Sequence, residues 1–166
     1  DYIPRPQLLE QFDGWQQRPL TLVSAPAGYG KSTIISSWLE SLDDPAAWLS
    51  LDENDNDLEL FLTYFLACVQ TSFPDAVDDT VALLGGVELP PLRVLSNSLA
   101  NELNRLPQRL VLVLDDYHVI GESRIDDLLS ELLKHPPRSL HLVIVTRTDP
   151  HISLNRLRAL GQVTEI

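Results

Sequence analysis

Residues 24–33 read Ser-Ala-Pro-Ala-Gly-Tyr-Gly-Lys-Ser-Thr, directly after the apolar run Pro19-Leu-Thr-Leu-Val23 and directly before a helical pattern. Such a turn, poor in Cβ atoms, lets successive backbone N–H groups point inward at a di- or triphosphate, and the helix that follows presents its positive end to the same anion. Gly28 and Gly30 supply the permissive backbone, and the main chain of Ala27 and Tyr29 completes the cradle. Lys31 would reach the β- and γ-phosphates, Ser32 would hold Mg²⁺ through its hydroxyl, and Thr33 would donate to a phosphate nearer the base. This is the spacing of a phosphate-binding P-loop, except that Ala25 stands where the first glycine is expected. An ordinary strand-to-helix turn with one exposed lysine is the simpler alternative. Only two of the 12 basic residues are lysines, Lys31 and Lys134, so a lysine at the motif position is informative. A dinucleotide fingerprint fails on spacing, because its third glycine would fall on Thr33.

A nucleotide site of this kind needs an acid opposite the loop. Residues 110–114, Leu-Val-Leu-Val-Leu, are apolar on both parities, as expected of a strand covered on both faces, and they run into Asp115-Asp116. A carboxylate at the C-terminal edge of that strand would bind Mg²⁺ directly or through water, the role assigned to Asp115. By pleat alternation Asp116 would point the other way, where it would polarise an attacking water as general base; two adjacent acids also describe a solvated turn. Arg147, just past the apolar run 140–146, falls at the same edge and would stabilise the γ-phosphate. Its alternative is a surface arginine paired with Asp149.

The elements that must position these groups alternate. Residues 20–24 read as a buried strand and 31–42 as a helix, with Ile34, Ile35, Trp38 and Leu42 at helical spacing. A second strand, 46–51, leads through the acidic run Asp52-Glu-Asn-Asp-Asn-Asp57 into a helix faced by Leu58, Phe61, Leu62, Phe65, Leu66 and Val69. Residues 73–91 hold Pro74, Gly85-Gly86 and Pro90-Pro91, an irregular connection with a short helix near 76–84. Helix resumes over 92–106. After the strand ending in Asp115, Ile125, Leu128, Leu129, Leu132 and Leu133 make an amphipathic helix that crosses back to strand 140–146, and residues 163–166 open another strand. Strands alternating with helices predict an α/β sandwich.

Composition excludes several functions. At 166 residues and 44% hydrophobic content the chain fits one globular domain. A formal charge of −12 argues against this segment gripping nucleic acid by phosphate neutralisation. Cys68 is the single cysteine, so no internal disulfide is available; it falls in an apolar run that suits a small buried hydrophobe and is consistent with a reducing cytoplasm. No apolar run approaches the roughly 18 residues of a membrane span, and residues 1–20 lack signal-peptide character. The acidic run 52–57 resembles the opening of a Ca²⁺ loop, but Asp57 stands where glycine is required and Thr63 where a bidentate glutamate belongs; a helix-entry turn is the better reading. His118, His135, His141 and His151 lack the spacing of zinc ligands, and only His118, close behind Asp116, merits a test. No Gly-x-Ser-x-Gly elbow occurs. The absence of methionine at residue 1 and the strand-like ending at Ile166 lead to the expectation of a piece of a larger protein.

Taken together, Ile3-Pro-Arg-Pro6, Ala25-Pro-Ala-Gly-Tyr-Gly-Lys-Ser32, Trp48-Leu-Ser-Leu-Asp52 with Asn54-Asp-Asn-Asp57, Leu114-Asp-Asp-Tyr-His118 and Val145-Thr-Arg-Thr-Asp-Pro150 resemble the nucleotide-binding domain of the MalT-like STAND ATPases. These are large LuxR-type activators in which a P-loop module precedes a winged-helix segment, helical sensor repeats and a C-terminal helix-turn-helix. In this family the first loop glycine is commonly alanine, so Ala25 fits. The resemblance implies a P-loop NTPase sheet of about five parallel strands in the order 5-1-4-3-2, with helices on both faces, Lys31 and Ser32 as Walker A residues and Asp115 and Asp116 as the Walker B pair. It also implies Arg147 as a sensor arginine, and Arg5 in an entry segment next to the adenine. It further implies ATP or ADP with Mg²⁺ as ligands, slow hydrolysis and self-association of the ATP state. DNA binding through a C-terminal domain beyond residue 166, a cytoplasmic location and no membrane partner complete the expectation. A nucleotide-dependent assembly module without significant hydrolysis is the alternative, and a metabolic kinase using the same loop is more distant because no acceptor pocket or lid motif is recognisable.

Overall fold

The computed structural model describes residues 9–24 and 30–166. Five strands, β1 (Leu20–Ser24), β2 (Ala46–Ser50), β3 (Leu110–Asp115), β4 (Leu140–Thr146) and β5 (Val163–Glu165), form one sheet in the order β2-β3-β4-β1-β5, with every neighbouring pair parallel. This is the expected order read from the other edge. The sheet carries α1 (Lys31–Glu40), α2 (Leu58–Ser72), α3 (Asp78–Leu84), α4 (Leu92–Asn104), α5 (Ser123–Lys134) and α6 (Leu154–Ala159). Helix limits differ from the sequence expectation by one or two residues: α1 stops two residues short of Leu42, α4 two short of Leu106, and α3 starts at Asp78. The sequence reading also missed α6, whose six residues bury only Leu154 and Leu157, too few to set a period.

The two parities of the central strands sort onto two cores. Leu110, Leu112, Leu114, Leu142 and Ile144 face α2, α4, α5 and α6, meeting Phe61, Phe65, Leu99, Leu129 and Leu157. Val111, Val113, Val143, Val145 and Val23 face α1 and the short turns before β1, meeting Ile35, Trp38, Phe12 and Trp15. Each such buried side chain contributes about 1.5–3 kcal/mol relative to exposure. The larger Leu/Ile layer lies under four helices, while the thinner valine layer leaves room for two stacked aromatic rings, Phe12 and Trp38, with centroids 4.4 Å apart. Cys68 is half-buried against the larger core, and burial pushes its thiol up, as expected of a small hydrophobe.

The acidic run after β2 is a helix-entry turn, as expected. Asp52 accepts from the Asn54 amide at 2.8 Å while Asp55 accepts from the Asp52 amide at 2.7 Å, and Asp57 caps α2 through the Leu60 amide at 2.9 Å. At α3 the N-terminal amides of Asp79 and Thr80 are satisfied by buried Glu102 of α4, at 3.1 and 2.8 Å.

Candidate functional site

Parallel strands gather their C-terminal ends at one edge, where loops and helix N-termini converge on whatever lies above. At this edge a cleft of ≈ 240 Å³ is lined by Gly30, Lys31, Ser32, Thr33, Asp115, Asp116 and Arg147. Every site residue expected from the sequence that lies among the described residues is therefore in one place. Arg5, Ala27, Gly28 and Tyr29 lie outside the described residues.

Gly30 caps α1 with φ of +71°, a left-handed backbone that favours glycine. The first α-helical bond follows directly, from the Ile34 amide to the Gly30 carbonyl at 3.1 Å. No described side chain caps this N-terminus, in contrast to α2, so the amides of its first turn are available to an anion at the cleft. Beside Lys31 a smaller, mostly apolar pocket of ≈ 130 Å³ is lined by Phe12, Val23, Ile34, Ile35 and Ile166, an environment for a flat, weakly polar group.

Opposite, Asp115 ends β3 in register with Ser50. Its carboxyl is held above the usual carboxylate range, first by burial and then by the neighbouring Asp116 charge; the Asp116 amide, the Trp48 indole and the Lys31 ammonium each pull it back down. The Asp116 amide donates to Asp115 Oδ1 at 2.9 Å. Asp116 corrects the pleat argument: it lies past the strand, at φ of +59°, the sole non-glycine among the described residues with positive φ. A left-handed step redirects the chain, so Asp116 lines the same cleft as Asp115 rather than the opposite face. Such strain is characteristic of functional turns.

That turn is held from three directions. Tyr117 is buried and its hydroxyl donates to Asp126 of α5 at 2.6 Å, and burial with this bond keeps the phenol far from ionisation. Asn56 donates to the Val119 carbonyl at 2.8 Å and accepts from the Gly121 amide at 2.6 Å. His118 Nδ1 accepts from the Arg147 amide at 3.3 Å, tying the acidic turn to the end of β4. Thr146 completes the β4 end, its hydroxyl donating to the Thr148 carbonyl at 2.7 Å. The suggested Arg147–Asp149 pair does not form: Asp149 is engaged by Arg158, at 2.9 and 3.1 Å, leaving exposed Arg147 to the cleft.

Trp48 and Asn56 are the contributors that residue-level reasoning did not assign. Trp48 acts on the end of β3 from the neighbouring β2, and Asn56, in the turn after β2, acts on the turn that follows β3, so only the strand order reveals them. The groups suit a nucleotide with a hard divalent cation, since Ser32 and the two carboxylates are oxygen donors. Among the described residues no group of three or more His, Cys, Asp or Glu side chains forms an all-protein metal cage. A cation here would take its remaining ligands from phosphate and water.

Comparisons with known proteins agree with this geometry. The AAA ATPase domain family matches residues 6–145. The chain is 35% identical, over 164 residues, to the HTH-type transcriptional regulators MalT of Klebsiella pneumoniae subsp. pneumoniae and Yersinia enterocolitica, which bears out the resemblance to MalT-like proteins. That alignment covers 99% of this chain but 18% of either regulator, so the chain spans less than a fifth of the curated relatives it matches. Among solved structures, a signal transduction ATPase with numerous domains (STAND) and a tetratricopeptide repeat sensor from Pyrococcus horikoshii superposes with a TM-score of 0.68 at 16% identity, covering 99% of this chain and 23% of that one. Cdc6p from Pyrobaculum aerophilum does so with a TM-score of 0.59 at 15% identity, over 99% of this chain and 47% of that one. These likenesses establish a P-loop NTPase fold. With the family match running through the loop, the α1 N-terminus and both β3 acids, the chain belongs to the AAA ATPase domain family.

Proposed function

We propose that this chain is the ATP-binding and slowly ATP-hydrolysing switch domain of a larger, signal-responsive transcriptional regulator. The observation that carries the reading is the single cleft that gathers Lys31, Ser32 and Thr33 with Asp115, Asp116 and Arg147. Backbone amides at the start of α1 and the Lys31 ammonium bind and orient the phosphates. Ser32 and Asp115 hold Mg²⁺, which supplies charge neutralisation across the phosphate oxygens when bound. The burial and like charge that raise the Asp115 carboxyl are relieved when a cation arrives, so its ionised form and the cation favour one another. Asp116 accepts a proton from, or orients, the attacking water, and Arg147 compensates charge at the terminal phosphate.

As part of a regulator similar to MalT, the domain would convert nucleotide state into exposure of a self-association surface, with DNA contacted by another domain. The net charge of −12 supports leaving DNA to that other domain. The rival is a module that holds nucleotide without hydrolysing it. Single-turnover measurement with Asp116→Ala separates the two: about 100-fold slower hydrolysis with ATP binding retained supports the switch, as expected when a positioned base is lost. Unchanged turnover favours the rival.

A further inference from the structure

A second polar cleft lies at the opposite ends of the strands. Its volume is ≈ 320 Å³, and its walls carry Arg18, Arg109 and Arg138 with Gln17 and Gln162, and no carboxylate. The three arginines precede β1, β3 and β4 respectively, and they converge because the sheet order sets those strands side by side. In a chain with 24 acidic against 12 basic residues, three arginines lining one concavity without an acid is an unusual concentration of basic residues. Arg124, Lys134 and Arg158 each meet a carboxylate, whereas among the described residues Arg18, Arg109 and Arg138 meet none.

Two of the three heads are already braced. Arg18 Nη1 donates to Thr164 Oγ1 at 3.1 Å, and the Arg109 guanidinium lies 5.1 Å from the centroid of the Trp15 ring. Bracing removes part of the rotamer entropy that binding would otherwise cost. His141, at the cleft floor, has both ring nitrogens engaged, to Arg18 O and Thr21 Oγ1 at 2.7 Å each. The site is therefore built from arginine forks, whose planar donors match phosphate oxygens two at a time.

We propose that this cleft binds a compact oxyanion carrying two or more phosphate groups, at a site separate from the one at the α1 N-terminus. A concavity lined by three arginines fits a small polyanion better than an acidic protein segment, which needs a broader face. The test is a pyrophosphate titration of the chain carrying Lys31→Ala, which disables the competing phosphate site, followed by NMR. The expected result is a saturable shift of the Trp15 indole and Gln162 side-chain amide resonances, with binding weakened roughly tenfold or more when Arg138→Glu is added. Arg138 is exposed, so an unchanged Trp38 indole resonance reports that the fold survives. No saturable shift at Trp15 and Gln162, or a shift indifferent to Arg138→Glu, overturns the proposal. Tighter binding of a polyglutamate peptide than of pyrophosphate at the same resonances also overturns it, in favour of an acidic protein partner.

Discussion

At the N-terminal ends of β1 and β4, Thr21 and His141 form a closed polar cluster; at the C-terminal ends, Lys31, Asp115, Asp116 and Arg147 form an open one. In the closed cluster, the Arg18 carbonyl can only accept, so His141 Nδ1–H donates to it and Nε2 accepts from the Thr21 hydroxyl. The ring is neutral, wrapped by Trp15 at 5.0 Å and Trp38 at 6.3 Å, and burial brings its pKa down to about 4. In the open cluster, burial and the neighbouring Asp116 charge raise the Asp115 carboxyl, and the charged groups face a cleft. The sheet thus carries a polar group enclosed by the fold at one end and charged groups that line a cleft at the other. The first is expected to govern stability and the second binding.

Acid breaks the comparison most strongly. A folded pKa near 4 against about 6.5 unfolded means that the unfolded chain binds the extra proton first, so the His141 contribution is complete above about pH 6.5 and is lost as pH falls toward 4. The loss reaches about 3 kcal/mol. Asp115 and Asp126, whose carboxyls are raised, act with the opposite sign. Urea melts of His141→Phe beside the native chain isolate the histidine, and the variant should show a flatter stability profile across that window. At pH 7.5 the same substitution leaves the Arg18 carbonyl and Thr21 hydroxyl without their partner, and it should cost about 2 kcal/mol with no change in nucleotide affinity.

At the open end the expected pattern reverses. Asp115→Asn should weaken Mg²⁺-nucleotide binding about tenfold, worth roughly 1.4 kcal/mol. With like charge removed, its melting temperature should hold or rise slightly, the effect on stability being only a few tenths of a kcal/mol because the half-exposed carboxyl is screened. Smallest of all, Arg158→Ala breaks exposed bonds to Asp149 and Glu165 and should change stability by less than about 0.5 kcal/mol, read in the same melts. A larger loss would mean that the β5 edge, rather than the two strand-end clusters, limits stability.

What was legible in the residues follows the range of the interactions. The β1–α1 unit, β3 and β4 could be read because their signals are local: glycines ahead of Lys31, and apolar runs with both faces covered. Asp115 followed from its place at a strand end. Asp116 lines the cleft by a route that pleat alternation does not show, since the left-handed step that brings it there belongs to a turn held by Tyr117, Asn56 and His118. Trp48 acts on Asp115 across a strand pair, and Thr21 meets His141 across 120 residues. The cleft of Arg18, Arg109 and Arg138 likewise exists only once three strands lie side by side, so nothing in their local sequence announces it.

The central claim, that the C-terminal edge is built to be satisfied by a nucleotide, is tested most directly by calorimetric titration of ATP and ADP at fixed Mg²⁺ into the native chain and Lys31→Ala. The account predicts saturable binding to the native chain, weakened on the order of 100-fold by Lys31→Ala, with the melting temperature of the unliganded chain unchanged. Equal affinity in both proteins would contradict it.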